Sequence, residues 1–463
     1  MQFLYYFIIV YILLIYHVIF NLQGYFMKNF ISSAIKSLDP VEIERFAIKS
    51  GFQKRAPKKI TSVELLNLYC LESIDKAPSF NDVAGIINDS TGKHPSRQAV
   101  AKRIDKEFSN FLKMILEHVI NYKIIEEANI ENYIKCFPRI IVQDSTIIKL
   151  PIRLFDDFSG VSNSSSSVCN ARIQGVYDLV SKSFIDFSVD KYSRNDITAA
   201  DGLVVQYGDL ILRDRGYLKI DEIKRLSNMH TFYIYRHMCS MSYRSIKDDK
   251  EINLSELLKN EGKIDMNVCL NNKDRTVVRL VAMAVNKETA DLRRMRAKIQ
   301  DKKHNSSKKK LFLMSWTIFI TNLPVTEYDF KMIFALYSLR WRIEIIFKTW
   351  KSSMSFAVIH NVSYHQLHAL LLARLITIVI TMHCIYRRCE KHVRQNSGGY
   401  LSLLKLMRYI RVKKERLQEI LEKIEKDINN VISTLTRYCL YDKRKRPNYV
   451  EYKELILNRL PLS

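Results

Sequence analysis

In the first third of the chain, apolar residues recur at three- and four-residue spacing in Val41–Ile48, Val63–Leu71 and Phe108–Ile120, which predicts helices there. Between the second and third, Ser79 to Ile87 reads as a short helix, and Gly92 with Pro95 as a turn. Ser96 then stands as N-cap of a further helix from Arg97 to Ile104. Arg97, Gln98, Lys102 and Arg103 fall on its polar faces, while Val100 and Ile104 turn inward. This is a helix-turn-helix pattern, in which Arg and Gln at the start of the second helix reach base edges or phosphates in a major groove. An ordinary pair of packed helices fits the same spacing.

From Arg139 the period changes. Ile140, Ile141 and Val142 lead into Gln143-Asp144-Ser145-Thr146 and then Ile147 and Ile148, a strand. After a Ser-rich stretch (162–167), Ala171–Val180 and Ser183–Val189 predict two more strands. Leu210-Ile211-Leu212 is a fourth, running into Arg213-Asp214-Arg215-Gly216-Tyr217; a helix follows to about Leu226, and Phe232–Tyr235 is a fifth strand. Strands and helices in this order predict a mixed α/β fold. Residues 236–310 break the rhythm with strand-like runs (Met266–Leu270, Val277–Val285) and a very basic stretch from Arg293 to Lys310, so they read as a β-rich insertion domain. Leu311–Ile320 returns to strand, and Tyr328–Lys351 predicts one long helix.

Two apolar runs bear on membranes. Leu370–Met382 carries Arg374 and is too short to span, so it predicts a core helix. Phe3 to Leu22 is long enough to span, but lacks the basic start of a secretory signal. It reads as an anchor, as a buried helix, or as an extension upstream of a functional start at Met27; the last is preferred, and membrane attachment is not expected. The resulting division is an apolar leader (1–26), a helical DNA-binding region (27–135), a first core part (136–235), the insertion (236–310), a second core part (311–386) and a basic helical C-terminal region (387–463). In that last region 19 Lys and Arg face 9 Asp and Glu.

Charge narrows the function. Across 463 residues, 73 Lys and Arg against 48 Asp and Glu give a net charge of +25, and a bias this large points to a polyanion, first of all nucleic acid. With 12 Gly and 9 Pro the chain is poor in loop-forming residues, which argues against long disordered tracts. The eight cysteines are scattered without a CxxC pair, as in a reducing cytoplasm. His383, Cys384, Cys389 and His392 have a spacing foreign to zinc sites.

Asp144 and Asp214 each end an apolar strand, where a carboxylate must be paired or hold a cation because an isolated buried charge is costly. A divalent ion with oxygen ligands would satisfy both. At helical spacing, Tyr337, Arg340, Glu344, Lys348 and Lys351 share one face. One acid among several cations suits a metal-binding carboxylate flanked by phosphate-gripping donors; i,i+4 salt bridging suits it too.

These residues carry a resemblance. Tyr337, Arg340, Glu344 and Lys351 match the Y-x2-R-x3-E-x6-K signature of DDE transposases of the insertion-sequence-four type. Asp144 and Asp214 look like that family's first and second catalytic aspartates, and Trp316 lies in a strand similar to the one preceding its signature helix. The resemblance covers roughly Arg139 to Thr381. It implies a ribonuclease-H-like core that brings Asp144, Asp214 and Glu344 around two Mg²⁺ or Mn²⁺ ions to cut and join double-stranded DNA. Tyr337, Arg340, Lys348 and Lys351 would then contact phosphates, and Trp316 would stack on an extruded base where hairpin ends are made. It further implies a homodimer bridging two transposon ends, in the cytoplasm with the nucleoid. A DNA-binding regulator or inactive relic is the alternative.

Overall fold

Capping places the first helices. A computed structural model describes residues 30–442 apart from 58, 122–136, 161–167, 182, 194–195 and 301–306; the apolar leader and the end of the basic C-terminal region, from 443, lie outside the described residues. Six helices come first: α1 (Phe30–Ala34), α2 (Pro40–Lys49), α3 (Ser62–Glu72), α4 (Phe80–Thr91), α5 (Arg97–Ala101) and α6 (Lys106–Asn121). Asp39, Thr61, Ser79 and Ser96 each accept an amide bond from the first turn of α2, α3, α4 and α5, and Thr61 and Ser79 complete capping boxes. Gly92 closes α4 in the left-handed conformation. The expected helix from Arg97 to Ile104 is shorter than predicted. It ends at Ala101, because Asp105 caps α6 by accepting from the Phe108 amide at 2.9 Å and so turns the chain.

The strands are β1 (Ile140–Lys149), β2 (Asn170–Asp178), β3 (Ser183–Lys191), β4 (Leu210–Arg213), β5 (Phe232–Arg236), β6 (Tyr243–Arg244), β7 (Glu251–Ile252), β8 (Lys263–Leu270), β9 (Val277–Ala284) and β10 (Trp316–Thr321). They form one mixed sheet in the order β3-β2-β1-β4-β5-β10-β9-β8-β6-β7. β1, β4 and β5 are parallel, with β2 and β3 antiparallel on one side: the ribonuclease-H-like arrangement. β10 pairs antiparallel with β5 on the other side and with β9 beyond it. The inserted strands therefore extend the core sheet instead of forming a sheet of their own. Helices α7 (Asp196–Ala200), α8 (Ile220–Asn228), α9 (Leu254–Glu261), α10 (Lys287–Gln300) and α11 (Lys308–Leu313) connect these strands. The expected strand from Leu311 is corrected: Ser307 caps α11, and β10 starts only at Trp316, where pairing with Ala284 begins.

The expected single helix from Tyr328 to Lys351 is two helices, α12 (Phe330–Ser338) and α13 (Trp341–Ser353). Neither Pro nor Gly marks the break. The chain tightens there through three-residue hydrogen bonds, Leu339 to Leu336 and Arg340 to Tyr337, both 3.1 Å. Arg340, at the break, is drawn inward (see below). α14 (Tyr364–Ile380) continues through a π-helical turn (Thr381–Tyr386) into α15 (Arg387–Ser397), followed by α16 (Leu403–Val412), α17 (Leu417–Lys426) and α18 (Ile428–Tyr438). Tyr364–Ser397 is long and apolar enough to cross a membrane, yet 94% of its apolar stretch is buried inside the protein, as a core helix would be.

Strand alternation sorts the core into two layers. Ile140, Val142, Leu210, Leu212, Ile234 and Phe319 face α12–α18 and the N-terminal helices. Ile141, Ile211, Tyr233, Tyr235, Ile318 and Ile320 face the opposite layer with α8, α9 and α11. α14 ties the N-terminal helices to the first layer. Its buried Arg374 donates to the carbonyls of Ser73 (2.7 Å), Phe356 (3.2 Å) and Val358 (3.0 Å), and Thr377 donates to that of Cys70 (3.1 Å).

Candidate active site

β1 and β4 stay paired up to Gln143 and Arg213. Asp144 is the first residue of β1 past that pairing, and Asp214 the first residue after β4. Both acids thus leave the sheet side by side at the carboxyl ends of adjacent parallel strands, where α/β sheets place ligands. Alternation turns them toward the layer of Val142 and Leu212, onto which α13 packs.

α13 seats itself through Ile343, Ile346, Phe347 and Trp350, all buried. Across from Asp144 in the β1–β2 ladder is Gly175. A Cβ there would come within 2.8 Å of the Phe347 ring. The bare backbone at Gly175 lets the helix lie close on β2, and this brings Glu344, one turn earlier, beside Asp144.

Arg340 bridges the acids. It is buried, 2.7 Å from Glu344 and 3.6 Å from Asp144, and lies 5.6 Å from the Tyr337 ring centre. Burial opposes its charge, but Tyr337, Glu344 and Asp144 outweigh that and raise its pKa. The Tyr337 hydroxyl donates to Asp214 at 3.5 Å, and burial pushes that hydroxyl up to about 12. An open groove between β1 and α13 is lined by Asp144, Ser145, Thr146, Glu344, Lys348 and Lys351. Lys348 is exposed on its wall; Lys351 is half-buried, and burial lowers its pKa against the pull of Asp144.

Asp144 is raised to about 7, first by burial and further by Glu344 and Asp214; Arg340 and the Ser145 amide (2.8 Å) pull the other way without prevailing. Burial outweighs the compensation that Arg340 and the Ser145 amide supply, so the ionised carboxylate gains from a cation placed beside it. Hard carboxylate oxygens on a rigid sheet and helix fit a divalent ion such as Mg²⁺. Among the described residues, however, no three Asp, Glu, His or Cys side chains already stand close enough to hold one. Glu344 is turned to Arg340 instead.

The sequence profile described as "Transposase DDE domain" matches residues 135–380, just over half of the chain and the whole of this site. The chain belongs to the DDE transposase family. It is 25% identical over 448 residues to the transposase for insertion sequence element IS231B of Bacillus thuringiensis subsp. berliner, covering 91% of this chain and 93% of the relative. It is 27% identical over 450 residues to that for IS231D of B. thuringiensis subsp. finitimus, with 91% and 92% covered. It is 27% identical over 385 residues to that for IS1151 of Clostridium perfringens, with 77% and 81% covered. Membership carries divalent-metal chemistry on DNA with it.

Within this DDE transposase the other sequence-singled residues lie apart from the acids. Trp316 is half-buried against Phe312 (6.3 Å) on the opposite layer, so the structure does not bring it onto the face of Asp144 and Glu344. Arg97, Gln98 and Lys102 are exposed on and just after α5 in the N-terminal helices.

Sequence reasoning passed over four contributors. Gly175 had no signal beyond its residue type. Asp196 accepts from Ser145 (2.8 Å), Arg172 (3.0 Å) and Gln174 (3.1 Å), tying β1, β2 and α7 together directly behind Asp144. Tyr217 donates to Gln174 at 2.7 Å and extends this brace to the turn after Asp214. Arg236, at the end of β5, is close enough to pull down the pKa of both Tyr337 and Arg293, and adds a cation at the site's edge.

Proposed function

We propose that this chain is the transposase of an insertion sequence, one that binds the element's terminal inverted repeats and carries out DNA strand cleavage and strand transfer. Asp144, Asp214 and Glu344 would hold two Mg²⁺ or Mn²⁺ ions. The observation that carries this reading is the buried Asp144 beside Asp214 at adjacent parallel strand ends, with Glu344 brought over it by the helix on Gly175. Such ions supply activation of a water or a 3′-hydroxyl and stabilisation of the leaving oxygen at phosphorus.

The chain's own part is placement. Arg340 is the counter-ion of Glu344 and Asp144, and where the acids held ions instead its planar fork would be free to grip a phosphate at two points. Tyr337, Lys348 and Lys351 border the same groove as further phosphate contacts. The exposed Arg97, Gln98 and Lys102 read the transposon end. The division of labour follows the chain: 27–135 binds DNA, 136–235 and 311–386 hold the acids, 236–310 extends the sheet, and 387–463 adds a basic helical region. Work on two ends calls for a homodimer, in the cytoplasm with the nucleoid.

One observation favours a second reading, a DNA-binding regulator or relic that no longer cuts: Glu344 is engaged by Arg340 at 2.7 Å. A single experiment separates the two. With Mg²⁺ and a duplex carrying the element's end, wild type should nick at the end. Glu344→Gln should bind equally and cut at least about 1,000-fold more slowly, as expected when an essential catalytic group is lost. Cutting by the variant at the wild-type rate sinks the triad, and binding without cutting by wild type supports the regulator.

A further inference from the structure

The connection from α2 to α3 turns at Gly51 (φ 79°) and then carries Lys54, Arg55 and Lys59, all exposed, along one rim of a groove. Its other wall is the corner between α5 and α6, where Ala99, Arg103 and Asp105 lie. Arg103 lines the groove with its guanidinium over the Phe52 ring, 4.0 Å from the ring centre. That ring is itself fixed by stacking on Phe111 at 5.3 Å and leaning on Phe108 at 5.0 Å. Arg103 Nε and one terminal nitrogen are buried without a hydrogen-bond acceptor, and burial lowers its pKa against the pull of Asp105. Asp105 is already engaged in capping α6. Lys59 is tethered to the His94 carbonyl at 3.1 Å, whereas Lys54 and Arg55 form no ion pair among the described residues.

A buried guanidinium with open donors is costly unless something supplies acceptors. A stacked, planar fork with two loose cations at its rim suits an anion with several oxygens on an extended chain, which a phosphodiester backbone is. Ala99 of α5 lines this groove, and Arg97, Gln98 and Lys102 are exposed on and just after the same short helix. A DNA strand bordering the major groove that α5 enters would pass here.

We propose that the groove between the α2–α3 connection and the α5–α6 corner clamps the DNA backbone, with Arg103 gripping a phosphate and Lys54 and Arg55 holding its neighbours. This rests on the DNA-binding reading above and adds that affinity and sequence choice are carried by two surfaces. Phosphate contacts position a duplex, and base contacts select it. The clamp therefore acts alike on every sequence, and Arg97 and Gln98 act on the transposon end alone.

The test is equilibrium binding of the full chain to an end duplex and to an unrelated duplex across a salt series. Lys54→Ala/Arg55→Ala removes two exposed side chains, and its melting temperature checks that the fold is kept. The double variant should lose affinity for both duplexes by the same factor, and its slope of log K against log salt should flatten by about 2, roughly 0.9 for each lost phosphate contact. Arg103→Lys keeps the charge and loses the fork, so it should bind both duplexes more weakly with the slope unchanged. An unaltered slope in the double variant overturns the clamp while leaving DNA binding standing. A loss confined to the end duplex overturns it as well, since the groove would then read sequence. Wild type binding neither duplex would sink the clamp and the transposase reading together.

Discussion

Consecutive residues of β1 and β4 meet opposite electrostatic fates. On one face, Gln143 and Arg213 sit in a closed network: Arg213 is wholly buried and donates to Glu222 (3.0 Å) and Tyr235 (3.3 Å) and to Gln143, while Arg225 grips Glu222 from outside at 2.7 and 2.9 Å. One residue further on, Asp144 and Asp214 turn to the other face and meet a third acid, with Arg340 as the buried cation among them. The first face compensates its charges within the fold. The second buries Asp144 so that its ionised form is held back, and a cation from outside would restore it. A strand can thus be rigid and reactive at once, because alternation separates the two tasks by a single residue.

The largest effect should come from breaking the compensated face. Arg213→Met strands Glu222 inside the protein with Arg225 as its remaining ion pair among the described residues, and should cost about 3–5 kcal/mol, the usual penalty for halving a buried ion pair. Urea unfolding measures it, and a loss below about 1 kcal/mol would mean that Arg225 alone suffices. A smaller effect is expected from Gly175→Ala, which pushes Phe347 off β2. It should cost about 1–3 kcal/mol as an overpacked contact, with strand cleavage falling by more than end binding. Equal cleavage would show that the helix need not lie so close to hold Glu344 in place.

The smallest effect sharpens the other side. Asp144 has its folded pKa raised from 3.8 to about 7. What its protonated form contributes is fully present below the unfolded value and is lost as pH rises through about 7. Without metal, Asp144→Asn should therefore melt a few degrees above wild type at pH 8 and level with it at pH 4. Added Mg²⁺ should stabilise wild type more at pH 8 than at pH 5 and do little for the variant. A metal-free wild type that gains stability between pH 5 and 8 from this residue would contradict the assigned sign.

The acids themselves were legible in the chain. Asp144 and Asp214 follow apolar runs that read as strands, and the spacing of Tyr337, Arg340, Glu344 and Lys351 is local. What escaped depends on distant partners. Gly175 matters because of Phe347, and Asp196 because of Ser145, Arg172 and Gln174. The break at Leu339–Arg340 carries no breaker residue, since it coincides with an arginine pulled toward acids on another element. Trp316 sits in a strand as expected, but the layer it faces follows from register with β9, which the local pattern does not specify. Arg103 read as a polar-face residue of a longer helix, when its guanidinium in fact lies on Phe52, some fifty residues earlier.

The Arg374 clasp has a consequence for how the chain is made. It joins residues 301 positions apart, and Cys384 to Ala34 and Lys414 to Glu72 span 350 and 342. During synthesis from the N-terminus, α3 and α6 emerge long before α14 exists to cover their apolar faces. The N-terminal helices therefore wait for α14 before they can close, and contacts of such long range form slowly in folding. A chain interrupted before residue 364 lacks that cover altogether, so a truncated copy is not a free-standing DNA-binding module but an incompletely folded one.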